Sequence, residues 1–141
     1  MRRLLSEKLM NAHTTYKKVE KQTMSGRDVE VQVLRRAAVQ YRQVLGATDE
    51  ATRNTLLDAA VRYNLRVWDV FHADWDRPEC PLTTSLRNDL LRLSIYVHKT
   101  SIEVLAYGNP EKIQTLININ ECLAQGLVAG QQASLATLAT A

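Results

Sequence analysis

His72 stands three residues after Asp69 and four before Asp76, a spacing that sets an imidazole beside a carboxylate on one helix face. Such a pair could serve as half of a general acid–base device. On a helix the same spacing more often makes a surface ion pair, and His13 and His98 stand apart from it. No HxxxH, HExxH or Cys/His cluster offers ligands to a metal. Cys80 and Cys122 stand alone, without the CxxC spacing of a redox or zinc site. No glycine-rich phosphate cradle occurs either. An enzyme is therefore not expected, nor is a metal or other cofactor.

A different chemistry, that of recognition, is written into three polar residues at apolar positions. Leu57, Ala60, Val61, Asn64, Trp68 and Phe71 recur at steps of three and four, which is one face of a helix, with Asn64 in its middle. Leu86, Leu90, Leu93, Val97, Thr100 and Val104 alternate steps of four and three, the seam of a helix packed lengthwise on another, and Thr100 sits in that seam. Ile113, Leu116, Ile117, Asn120, Leu123, Ala124 and Leu127 repeat the pattern, with Asn120 in the place of a buried aliphatic. Burying an amide without partners costs roughly 1–3 kcal/mol. Each of the three must either find hydrogen bonds that fix register inside a bundle or line a groove where a partner binds. Trp68 and Phe71 divide in the same way between core and recognition hot spot. Trp75, seven residues beyond Trp68 and near the helix end, is the better candidate for a contact surface. Arg87 with Asn88, and Arg27 with Glu30, read as capping and ion-pair groups.

These stripes need helices to carry them. Ser25 followed by Asp28 is a capping-box-like start for a helix that buries Val33 or Leu34, Ala37, Ala38, Tyr41 and Leu45 and stops at Gly46. Thr48 caps the next, with Asp49 and Glu50 at its positive end, and that helix runs to about Asp74. Pro78 and Pro81 frame a connector over 77–83, after which Thr83 or Thr84 caps a third helix. Gly108, Asn109 and Pro110 read as stop, cap and first helical residue, and the last helix continues to about Val128. The tail from Ala129 to Ala141 carries no charge and too few apolar residues to offset its ordering entropy, so it is expected to be flexible. The prediction is an all-α protein, a compact bundle of four to five helices.

A chain of 141 residues suits one domain with a modest core. No apolar run approaches the roughly 20 residues that span a bilayer, so no membrane partner is expected and the protein is placed in the cytoplasm. Two cysteines outside any disulfide framework fit that compartment. The net charge is +3, yet residues 1–42 hold ten Lys/Arg against four Asp/Glu, and the remainder holds eight against eleven. The basic third is where RNA would be favoured, with Tyr16 and Tyr41 available for stacking. The same asymmetry also marks an ordinary solvated face.

The run Asn64-Leu65-Arg66-Val67-Trp68-Asp69-Val70-Phe71 is followed by Pro81-Leu82, Leu86-Arg87-Asn88 and Thr100. Pro110, Leu116-Ile117-Asn118-Ile119-Asn120 and Gly126-Leu127 come next. In this order and spacing they resemble the FlaF family of flagellar regulators of alphaproteobacteria. Tyr16, Thr23, Ser25-Gly26-Arg27-Asp28-Val29-Glu30 and Ala37-Ala38 extend the likeness, which covers about Met10 to Gly130. The resemblance divides the chain into an extension over 1–10, a helical domain over 11–130 and a tail over 131–141, with Met10 as a natural start. It implies a factor of flagellum biogenesis that promotes flagellin synthesis and secretion by binding unassembled flagellin as a dedicated chaperone. A FlbT-like translational regulator is the further partner. The alternative is an RNA-binding or adaptor regulator of flagellin messenger RNA translation that acts with FlbT. Asn64, Trp68, Phe71, Trp75, Arg87, Thr100 and Asn120 are the candidate partner-binding positions.

Overall fold

Four α-helices follow one another in the computed structural model, which describes residues 26–140 and, from 131 onward, the backbone alone. They are α1 (Gly26–Gly46), α2 (Glu50–Trp75), α3 (Thr84–Tyr107) and α4 (Pro110–Thr140). The expected all-α bundle is the one formed. The expected cap Ser25, Tyr16 and the extension over 1–10 lie outside the described residues.

Capping chemistry sets most of the boundaries. Asp49, not the expected Thr48, caps α2: its Oδ2 accepts the Thr52 N–H at 2.9 Å, a charged acceptor at the helix end where orphan donors gather. Thr83 caps α3 through Oγ1, which accepts the Leu86 N–H at 3.3 Å. Gly108 ends α3 in the left-handed region at φ 63°, where a side chain would be strained, and donates to the Val104 carbonyl at 2.8 Å. Asn109 then accepts the Glu111 N–H at 2.9 Å, and Pro110 opens α4. The predicted end of α4 at Val128 is passed, since the helix continues to Thr140. Alanine, leucine and glutamine dominate that stretch, and their helix propensity carries the backbone on.

The helices form a ring in which each packs on its neighbours in sequence and α4 closes back on α1. The α1–α4 contact is the most extensive, followed by α1–α2 and α2–α3, whereas α3 and α4 touch least. Ala37 and Ala38 on α1 and Ala124 on α4 are fully buried, and such small side chains let helix axes approach closely. Cross-helix pairs show that neighbours run antiparallel: Arg42 with Glu121, Arg36 with Tyr63, His98 with Asp69, and Lys112 with Glu103. Leu34, Tyr41, Val44, Val61, Val67, Trp68, Val97, Ile113, Leu116 and Ile117 fill the centre. Val44 takes the place predicted for Leu45, which is only half-buried.

Candidate functional site: a cavity and groove at one end of the bundle

The polar residues singled out by their spacing meet in the core. Asn120 Oδ1 accepts the indole N–H of Trp68 at 2.9 Å, and its Nδ2 donates to Asn64 Oδ1 at 2.7 Å and to the Leu34 carbonyl at 3.4 Å. One amide thus joins α4 to α2 and α1. Tyr41 turns its hydroxyl toward Asn64 and Ser101, and burial pushes its phenol up to about 12 against the pull of those two groups. Asn64 Nδ2 and the Tyr41 hydroxyl are both buried without a partner in hydrogen-bond geometry. Thr100 is buried in the α3 seam, and its neighbour Ser101 donates back to the Val97 carbonyl at 2.6 Å. Asn64, Trp68 and Asn120 are wholly enclosed, so they meet one another and offer no surface to a partner.

Two corrections follow from burial. Trp75, expected at the surface, is only 6% exposed because it stacks on Phe71 at 5.4 Å and meets Trp68 edge-on at 6.0 Å. Tyr41, expected to be available for base stacking, is fully buried.

Below this network the bundle opens. A cavity of about 290 Å³ is walled by Phe71, Trp75, Leu82, Leu86, Leu90, Leu123 and Leu127. An apolar cavity of about 150 Å³ already holds a benzene ring, so this one has room for a large apolar side chain or two. Arg27, Glu30 and Asp74 supply its polar lining. Glu30 lies 3.7 Å from Arg27, and Asp74 is held by Arg77 at 2.9 Å, so each carboxylate is charge-balanced. Arg87 fastens α3 to the end of α2 by donating to the carbonyls of Trp75 and Asp76. A cation there also suits the negative end of the helix dipole, and the reading of Arg87 as a structural group matches this place.

A second hollow lies beside the cavity. A hollow of about 450 Å³ between α3 and α4, lined by Leu93, Thr115, Asn118, Ile119, Cys122 and Leu123, shares Leu123 with the cavity. The α3 seam therefore divides in two. Val97, Thr100 and Val104 are buried against the core, whereas Leu90 and Leu93 are half-buried and Leu86 is 47% exposed. Half of the helix-packing seam is only partly covered.

A family profile described as "Flagellar protein FlaF" matches residues 12–127. The chain belongs to the FlaF family. No curated protein and no solved structure matches it. The stretches that carry the FlaF likeness, far apart in sequence, come together in space: Arg27 and Glu30 from α1, Phe71 from α2, Leu82 from the connector, Leu86 from α3, and Gly126 and Leu127 from α4 all line the cavity. Asp74 belongs to the same wall and was not singled out by sequence, whereas Leu90 and Leu123 were placed in helical stripes but not assigned to a site. The signal was present, since Leu86, Leu90 and Leu93 face Ile119, Leu123 and Leu127 at matching helical steps.

The histidines pair differently from their spacing. His72 meets Ser94 Oγ at 3.0 Å, and Asp69 is held by His98 from the next helix at 2.6 Å. The imidazole beside the serine is not the one beside the carboxylate, and Ser94 is fully buried, so the four do not form a catalytic relay. Among the described residues, no group of three His, Cys, Asp or Glu side chains could hold a metal, and no helix is long and apolar enough to cross a membrane.

Proposed function

We propose that this FlaF-family protein promotes flagellin synthesis and secretion by binding unassembled flagellin in the cytoplasm, as a dedicated, non-enzymatic chaperone working beside a FlbT-like regulator. The observation that carries this reading is the partly covered seam of Leu86, Leu90 and Leu93 on α3 beside Ile119, Leu123 and Leu127 on α4. Two parallel rows of apolar side chains at helical spacing are a receptor for the apolar face of a third helix. Unassembled flagellin has amphipathic terminal helices whose apolar faces need cover until export. The end cavity adds a socket for an anchor side chain of that helix. Of the two tyrosines offered for base stacking, Tyr41 is enclosed in the core and Tyr16 lies outside the described residues, so the RNA-binding alternative keeps less support.

Binding of purified monomeric flagellin to the full chain, measured at low and at moderate salt, tests the proposal. Apolar burial predicts an affinity that changes little with salt, reduced by Leu90→Asn or Leu123→Asn. Binding to the flagellin leader RNA that falls by orders of magnitude over the same range, with none to flagellin, would favour the regulator instead.

A further inference from the structure

His98 reaches from α3 toward α2 and finds an acceptor on each side of its ring. Nδ1 lies 2.8 Å from the Ser94 backbone carbonyl oxygen, and Nε2 lies 2.6 Å from Asp69 Oδ1. A carbonyl oxygen only accepts, and so does a carboxylate, so both ring nitrogens must carry a proton for both contacts to be hydrogen bonds. A neutral imidazole has one N–H and would turn a lone pair toward one of these oxygens. We infer that His98 is held as the imidazolium and is a proton-dependent clamp between α2 and α3, which gives up one of its two ties when it loses a proton.

The surroundings suit such a device. The hollow around the ring is lined by Asp69, His72 and Ala73 from α2 and by Ile95, Lys99 and Ile102 from α3. Asp69 is the anion that favours the charged ring, and Lys99 is the cation that opposes it. His72 is engaged with the Ser94 hydroxyl, so Ser94 serves both histidines, one through its side chain and the other through its carbonyl. About a third of the His98 side chain is exposed, 36%, which leaves the ring in exchange with solvent protons.

Partial burial works against the charged form, but the bonds to the Ser94 carbonyl and to Asp69, together with the carboxylate charge, outweigh it and raise the group above its ordinary 6.5. Because the folded value is the raised one, the clamp contributes its full stability below the ordinary value and loses it as the pH rises through the folded value. The clamp closes on the acidic side and releases on the alkaline side. It lies five residues beyond Leu93, on the helix that carries one wall of the groove. The inference concerns the isolated chain and does not rest on the chaperone reading.

Side-chain histidine resonances of the full-length protein, assigned by their loss in His98→Gln, test it directly. The expected result is a His98 titration midpoint above the ordinary histidine value, with both nitrogens protonated at about pH 6. Asp69→Asn should move that midpoint down. The melting-temperature gap between wild type and Asp69→Asn should be widest on the acidic side of the His98 midpoint and shrink above it. A His98 midpoint at or below the ordinary value, a neutral tautomer at about pH 6, or a gap that does not vary with pH would each overturn the clamp. The wild-type titration alone decides the matter if the variant does not fold.

Discussion

Trp68 on α2 donates its indole N–H to Asn120 on α4 at 2.9 Å, across the diagonal of the bundle and between helices whose backbones make no close approach. The same Asn120 gives its amide N–H groups to Asn64 and to the Leu34 carbonyl. Asn120→Leu would leave the indole N–H and the Asn64 carbonyl oxygen without partners, at about 1–3 kcal/mol each. Asn64→Leu removes an Nδ2 that already lacks a partner, so its cost should be smaller. Urea titrations of the two variants should give this order, and equal losses would mean that Asn120 does not organise the network.

The aromatic ladder makes a second prediction. Trp68→Ala should cost on the order of 3–5 kcal/mol, because the indole is fully enclosed. Trp75→Ala should fall toward the lower end of that range, since one side of the ring already faces the end cavity. Thermal melts check the order, and a negligible shift for Trp75→Ala would contradict its place in the core.

Gly126 supplies a test of the cavity that leaves the fold intact. It sits within α4 and lines the cavity, and a Cβ built on it meets nothing within 4 Å. A glycine inside a helix costs roughly 1 kcal/mol relative to alanine. Gly126→Leu should therefore hold or raise the melting temperature while reducing flagellin binding. A lowered melting temperature would show that the space at this position is not open.

Arg87 ties two helix ends together, and its loss should be felt where they meet. Arg87→Ala removes two charged hydrogen bonds to α2 carbonyls, each contributing about 1.5–3 kcal/mol. Hydrogen exchange should quicken over 76–83. Arg87→Lys should restore little of it, because an ammonium cannot reproduce the fork of the guanidinium.

The helices, two of the three helix junctions and the buried seams were legible in the sequence because they rest on local rules. Gly108-Asn109-Pro110 can be read without knowing what lies across from it. The site was less legible for a physical reason. Leu86 and Val104 belong to one unbroken stripe, yet one is exposed and the other fully buried, a difference set by what packs across from each and not by their spacing. Trp75 was misplaced for the converse reason, because its distance from the helix end says nothing of the Phe71 ring stacked on it. His98 and Asp69, 29 residues apart, share no periodicity that would announce their contact.

The uneven ring of contacts gives the molecule a mechanical character. α1 is held on both sides, by α4 and by α2, and α2 holds α3, so the α3–α4 edge is the loosest of the four around the ring. At that edge α3 and α4 are pinned at one end by the two-residue turn Gly108–Asn109 and by the Lys112–Glu103 ion pair. α3 is about 36 Å long at 1.5 Å per residue, so a swing of about 10° at the pin carries its far end through about 6 Å. That travel is comparable with half the width of a helix with its side chains. A small change of angle at the turn would thus be magnified at the opposite end of the edge, far from the residues that set it.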